Sequence, residues 1–514
     1  MRPTRSHWGR ATIVVVEFGI ASPLVIFVIL EPITKNRVFK MRSKSPGVAT
    51  PRLRRRIITL KAARLRRWFV LLLICGSIRS SVAWAEQQDE LSLDLPVGEL
   101  LFVAEDIYSP AGTQGNAAIS PARKEQAEDC FRRARLACEK DDVGAALRWA
   151  TCAVYLDPDH VDARRVLGYQ RIGDVWAGSY AARRLEKGEV WHSQFGWILA
   201  EEVARYEAGE RRLGKKWISV EEDARRHRLI DRGWQIRTDH FRVVTNHRRE
   251  DASKLAVRLE TLYQLWQQIF GGFYLDTAQL LKRFDGKTIS GYRSKPFRVV
   301  YYGSRQEYNA TLRRQQPRID ITLGIYFDTT RTSHFFAGPD QDSGTIYHEA
   351  VHQLFYESAR SSQHVGVLAN AWILEGVACY FESLLEHQDP STGRFFTLGT
   401  AGAGRLPAAR HRRLVDDYYV PLAELTTLGM TDLQRRDDIA RLYSQSAGLA
   451  TFLIQGQGGE YRAALVKLLR LIYTGRDKST SLQQLTGQDF AVLDRQYREF
   501  LEELSLPAAD EPVE

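Results

Sequence analysis

Apolar positions recur at helical spacing through residues 124–140, 143–156 and 161–172, so the pattern predicts three short helices there. Asp157-Pro158 separates the second from the third, because proline lacks the backbone donor a helix interior needs. Farther along, Trp197-Ile198-x-x-Glu201-Glu202 is echoed by Trp217-Ile218-x-x-Glu221-Glu222, which reads as two copies of a small unit, each burying one aromatic ring. From about residue 235 the period changes. HFRVVT (240–245), FRVVYY (297–302) and LGIYF (323–327) are predicted strands, and residues 251–270 a predicted amphipathic helix. Helical patterns then run on to about residue 504, so the expected fold class is α+β, with a small all-α module ahead of the mixed domain.

The segments between these patterns divide the chain. Residues 86–120 lack periodicity and contain Pro110, Gly112 and Gly115, the composition of a linker. The expected order is a basic targeting region at 1–85, the linker at 86–120, a helical module with the Trp repeat at 121–230, a mixed domain at 235–504 and a disordered tail at 505–514.

Charge changes the picture of the N-terminus. Of the formal net charge of +10, residues 1–85 carry +15, from 17 Lys and Arg against Glu17 and Glu31, which leaves −5 for the remainder. The body therefore carries no basic footprint, and nucleic acid is not an expected partner. Arg64, Arg66 and Arg67 precede the apolar run WFVLLLIC (68–75), and Ala83-Trp84-Ala85 precedes Glu86, the order of an export signal cleaved after Ala85. That run is too short to span a bilayer. The expected location is thus periplasmic or extracellular. A second apolar run at 11–30, broken by Glu17 and Pro23, is the one segment that could contact a membrane if left uncleaved; Met41 opens a cleaner signal, so residues 1–40 read as an upstream extension.

Five cysteines are few for an exported chain and do not form a disulfide scaffold. At most, Cys138 and Cys152 could pair across neighbouring helices; otherwise Cys130, Cys138, Cys152 and Cys379 read as small buried apolar residues.

The candidate chemistry is concentrated in His348-Glu349-Ala350-Val351-His352. On a helix the two histidines lie about 40° apart and one turn along, so both rings can face one Zn²⁺, while Glu349, about 100° from His348, can reach a water without ligating the metal. Uncharged flanks at Thr345, Gln353 and Leu354, a cap from Asp342 or Ser343, and an apolar face of Ile346, Ala350, Leu354 and Phe355 make the helix credible. Zinc needs a third protein ligand. Glu357 and His364 are candidates, as is Glu375, which follows His352 after 22 intervening residues, room for a turn and a returning helix.

The HEAVH motif, the Glu375-Gly-x-Ala-x-Tyr-x-Glu382 run and the later Leu442-Tyr443 to Phe452-Leu453 segment together resemble a gluzincin, similar to the peptidase-MA-like domains of exported bacterial proteins, over residues 235–504. The resemblance implies one zinc per chain held by His348, His352 and Glu375, water activated by Glu349, an oxyanion donor in Tyr443, and hydrolysis of a peptide or protein substrate. Leu374 stands where aminopeptidases of this clan carry asparagine, and no Gly-x-Met-x-Asn precedes the motif, which points to an endopeptidase. Cys379 occupies a place where some gluzincins carry a buttressing carboxylate, and Glu382 is the candidate substitute. Ala146, Ala153, Pro158, Leu167 and Gly168 also resemble a tetratricopeptide repeat, over one copy and the start of another, which makes the helical module a candidate surface for a protein partner. The competing readings are a catalytically silent scaffold of the same type, and an interaction protein in which HEAVH is coincidence.

Overall fold

Proline sits just inside the first helix, where its missing N–H is no loss. The helix, α1 (Pro121–Glu139), opens on Ser120, whose hydroxyl accepts from Arg123 N–H. Asp142 caps α2 (Val143–Leu156) in the same way through Ala145 N–H. The computed structural model describes residues 101–103, 119–287, 295–389 and 393–504, which belong to one compact unit, Leu93–Glu514. The expected signal, the second apolar run, most of the linker and the 505–514 tail lie outside the described residues. Within the linker, Leu101 forms a two-way backbone bridge with Phe396 and is buried, as is Val103.

The third helix differs from expectation. It runs only over α3 (Val161–Leu167), because Gly168 adopts φ of 95° and closes it in the left-handed conformation. Beyond Gly168 the module is not all-α, contrary to expectation: three hairpins, β1–β2 (Gln170–Ile172 and Val175–Ala177), β3–β4 (Glu189–His192 and Gly196–Leu199) and β5–β6 (Glu210–Leu213 and Lys216–Ser219), each lead into a short helix. These are α4 (Ser179–Leu185), α5 (Val203–Glu207) and α6 (Val220–Arg226). The Trp echo therefore has three copies. Trp176 lies under the Arg164 guanidinium of α3, Trp197 packs on Ala181 and Ala182 of α4, and Trp217 meets Tyr206 of α5 edge-on at 5.7 Å. Each ring thus rests on the helix of the unit before it, as stacked repeats do when no unit can bury its own apolar face.

Trp234 ends the array, stacking on His227 and donating to Asp223 of α6 at 2.8 Å. It opens β7 (Trp234–Arg237), the edge of a five-stranded sheet ordered β10-β11-β9-β8-β7. The inner strands β8 (Phe241–Thr245), β9 (Phe297–Tyr302) and β11 (Thr332–Phe336) are mutually parallel, and β7 and β10 (Ile325–Phe327) pair antiparallel at the two edges. The crossover between β8 and β9 carries α7 (Arg249–Tyr274) and α8 (Thr277–Phe284), and that between β9 and β10 carries α9 (Arg305–Leu312). Glycines bring α7 onto the helical hairpin: a Cβ on Gly144 would meet Ile269 O at 2.9 Å, and one on Gly271 would meet Leu147 at 2.5 Å.

After the sheet the chain is mainly helical: α10 (Ser343–Ser358), α11 (Ala371–Phe381), the hairpin β12–β13 (Leu385–Asp389 and Gly393–Thr397), then α12 (Leu406–Leu414), α13 (Leu422–Leu425), α14 (Met430–Gln434), α15 (Ile439–Gln455), α16 (Arg462–Tyr473), α17 (Ser481–Thr486) and α18 (Phe490–Glu503). One core joins Phe241, Val243 and Val299 of the sheet with Trp266 of α7, Leu354 and Phe355 of α10, Trp372 of α11 and Phe452 of α15. The architecture is α+β. Among the described residues no helix is long and apolar enough to cross a membrane.

Candidate metal centre

The helix carrying HEAVH begins where Asp342 accepts from the backbone N–H of Thr345 at 2.7 Å and from its hydroxyl at 2.8 Å. Ile346, Ala350, Val351, Leu354 and Phe355 bury one face of α10 in the core. This fixes the roll of the helix and turns His348, Glu349 and His352 to the opposite, partly exposed side. Helix α11 returns beside it after a sharp entry at Asn370, which adopts φ of 54°, ψ of 22° and anchors its amide to Asp477 and the Lys478 carbonyl. Asparagine tolerates this left-handed conformation better than most residues.

Glu375 lies in the first turns of α11, and its Oε2 comes within 3.3 Å of His348 Nε2 and 3.5 Å of His352 Nε2, which are 3.1 Å from one another. Donor atoms bound tetrahedrally to zinc at about 2.0–2.1 Å are about 3.3 Å apart, so the three atoms already form one face of such a tetrahedron. With both rings neutral and their Nε2 lone pairs turned inward, the two imidazole nitrogens and the carboxylate oxygen present three lone pairs to one point, where a divalent cation satisfies all three. The residues fit the metal. The rivals lie elsewhere: Glu357 accepts from Gln353 at 2.8 Å on the next turn of α10, and His364 is exposed beyond the end of that helix.

A second layer holds the candidate ligands. Glu382, seven residues after Glu375, places Oε1 2.8 Å from His348 Nδ1, so the ring is gripped on one nitrogen while the other faces the cluster. Arg405 clamps Glu382 in turn, its Nε 2.6 Å from Oε2 and its Nη2 3.0 Å from Oε1. Cys379 is 3.8 Å from the same His348 nitrogen, so His348, Cys379 and Glu382 form a second group of converging donors that shares one histidine with the first. Burial disfavours charge on both carboxylates, but the two histidines hold Glu375 well below the usual carboxylate range, and His348 and Arg405 hold Glu382 down. Burial likewise works against a charged His348, and Cys379, Glu375 and Glu382 outweigh it and raise its pKa. In the metal-free protein this imidazole keeps a proton that a metal must displace.

Glu349 stands outside the ligand cluster, its Oε2 accepting from the Tyr326 N–H of edge strand β10 at 2.9 Å. Tyr443, on α15, is half-buried beneath the Arg405 guanidinium. Burial first, and the Glu375 charge second, push its phenol pKa far up, so it keeps its proton at neutral pH. No hydrogen bond holds that hydroxyl among the described residues. The close approach of α11 and α15 depends on Gly376, where a Cβ would meet the Ser446 carbonyl oxygen at 2.6 Å.

Of the residues singled out in the sequence, the structure brings His348, His352, Glu375 and Glu382 together, with Glu349 on the same helix as the two histidines, and leaves Glu357 and His364 apart from them. The sequence pattern missed Arg405 and Tyr326. The first acts from beyond the β12–β13 hairpin and the second through its backbone, which no side-chain motif encodes. Set against known proteins, the chain matches no family model and no curated protein, so the reading of this site rests on its own residues and geometry.

Proposed function

We propose that the chain is a zinc-dependent endopeptidase of the gluzincin type, exported from the cell, with one zinc held by His348, His352 and Glu375 and with Glu349 as general base. The observation that carries this reading is the triangle of donor atoms at 3.1, 3.3 and 3.5 Å, with an unligated carboxylate on the adjoining helical position. When bound, zinc supplies Lewis acidity to a water and to the scissile carbonyl, bringing the water's pKa toward about 7. Glu349 then takes the water's proton and passes it to the leaving amine. Tyr443, protonated and without another partner among the described residues, donates to the oxyanion that develops.

The substrate is a peptide or protein lying along β10. That strand is an edge of the sheet, and the Tyr326 N–H now bonded to Glu349 sits at the rim of the site. Export with cleavage after Ala85 delivers residues 86–514 to the periplasm or the medium. Two measurements test the reading together. Elemental analysis of the purified protein should give close to one zinc per chain, and a peptide library should be cleaved in a chelator-sensitive way. Zinc without cleavage would leave a silent scaffold, and absence of zinc would make HEAVH coincidental.

A further inference from the structure

The helical hairpin holds a feature that the proposed catalysis does not use. Cys130 of α1 and Cys152 of α2 place their sulfurs 3.3 Å apart, each the other's hydrogen-bond partner. Both are free thiols, and both are buried, Cys130 completely. They share a buried apolar cluster with Ala127, Ala153, Val154, Leu156 and Ala163. The pairing follows from the hairpin itself. The helices are joined by Lys140, Asp141 and Asp142, and the two cysteines lie eleven residues either side of Asp141, facing one another across the antiparallel interface. Cys138 does not take part, contrary to the pairing with Cys152 allowed by the sequence; its sulfur lies against the Thr277 carbonyl at 3.8 Å.

We propose that Cys130 and Cys152 are a disulfide site, oxidised by exchange with a small or protein disulfide. A bonded pair needs sulfurs about 2.05 Å apart, so the two must close by little more than about 1 Å, within the reach of small χ rotations. In the first step a Cys thiolate attacks one sulfur of the donor disulfide, breaking that S–S bond and releasing one donor thiolate. In the second, the other Cys thiolate attacks the mixed disulfide at the protein sulfur and expels the second donor thiolate. The cysteine pair loses two electrons and two protons, and the donor is reduced to two thiols. The bond ties the outermost helix α1 to α2, which is itself seated on α7 through Gly144. It restrains the hairpin in the unfolded chain and lifts its resistance to opening. This site is independent of the metal reading.

The test uses the full chain, equilibrated with a large excess of oxidised glutathione, denatured in iodoacetamide without reduction, and mapped by mass spectrometry. The expected result is a linked Cys130–Cys152 peptide, loss of alkylation at those two positions, and alkylated Cys138 and Cys379. Cys138→Ala should leave the link intact. In the wild type, reduction should lower the melting midpoint, and in the Cys130→Ala, Cys152→Ala double variant reduction should change nothing. Full alkylation of both Cys130 and Cys152 after equilibration, or a link from Cys152 to Cys138 instead, overturns the proposal.

Discussion

Two carboxylates grip one ring at His348, Glu375 at Nε2 and Glu382 at Nδ1, and they predict different consequences of loss. Removing a ligand removes one of three donors, so Glu375→Ala, His348→Ala and His352→Ala should each release zinc. Glu357→Ala and His364→Ala should keep it. Elemental analysis of these purified variants decides the matter, and zinc retained in Glu375→Ala but lost in either rival would end the assignment of Glu375. Glu349→Gln fills the same space but cannot accept a proton from water, so it should keep zinc and lose nearly all hydrolysis. Tyr443→Phe should keep zinc and slow turnover by about 10²–10³-fold; unchanged turnover with a lower melting midpoint would show a packing role only. Glu382→Gln and Arg405→Ala leave all three ligands in place but free the His348 ring, so zinc affinity should fall by about 10–100-fold, read by competition with a chromogenic chelator.

At the scale of elements, the site depends on how closely two helices approach. Gly376 sits one residue after Glu375, and the Ser446 carbonyl of α15 fills the space a side chain would take. Gly376→Ala therefore has to push α15 away from α11 and carry Tyr443 with it. The expected cost is about 1–3 kcal/mol, seen as a lower melting midpoint, with turnover falling further than zinc content because the ligands on α10 and α11 remain together. Equal losses of zinc and turnover would mean that α11 itself had shifted. The same dependence on contact explains which elements the sequence could disclose. Strand 297–302 and helix 143–156 agree with their expected limits because each has a full apolar period of its own. Strands Trp234–Arg237 and Thr332–Phe336 were missed, the first for its mixed polarity and the second because Thr332, Ser333 and His334 are polar by type yet buried by the neighbouring strands and α10. Residues 168–172 were expected to be helical, and Gly168 at positive φ sent them into a hairpin instead.

For the whole molecule, acid sensitivity follows from a histidine inside the sheet. His334 on β11 is buried beside Tyr302, whose hydroxyl lies 3.2 Å from its Nδ1; burial first and the Arg298 charge second lower its pKa to about 4. The unfolded chain, with an ordinary histidine near 6.5, binds the proton first as pH falls. Stability is therefore whole above about pH 6.5 and falls as pH drops toward 4, by about 3 kcal/mol in full. His334→Gln keeps a hydrogen-bond partner for Tyr302 and has nothing to titrate, so its melting midpoint should fall less steeply than the wild type's over that window. Parallel curves would place the acid sensitivity on other groups.

The local terms of this protein were determined by the sequence: HEAVH had to sit on a helix capped by Asp342 or Ser343, because its apolar residues share one face and its histidines are one turn apart, and the structure gives the cap to Asp342. So were the period of the Trp repeat and the change from helical to mixed patterning near residue 235. Only the tertiary structure brought Glu375, and not Glu357 or His364, beside the two histidines, because that placement depends on where a second helix returns and not on any property of the three residues. It also decided that Arg405, beyond a hairpin, would brace His348 through Glu382, and that Cys130 rather than Cys138 would face Cys152. The physical reason is common to all three. Periodicity is set by the geometry of one element, whereas the distance between side chains on different elements is set by packing, and packing sums small contributions from the whole chain.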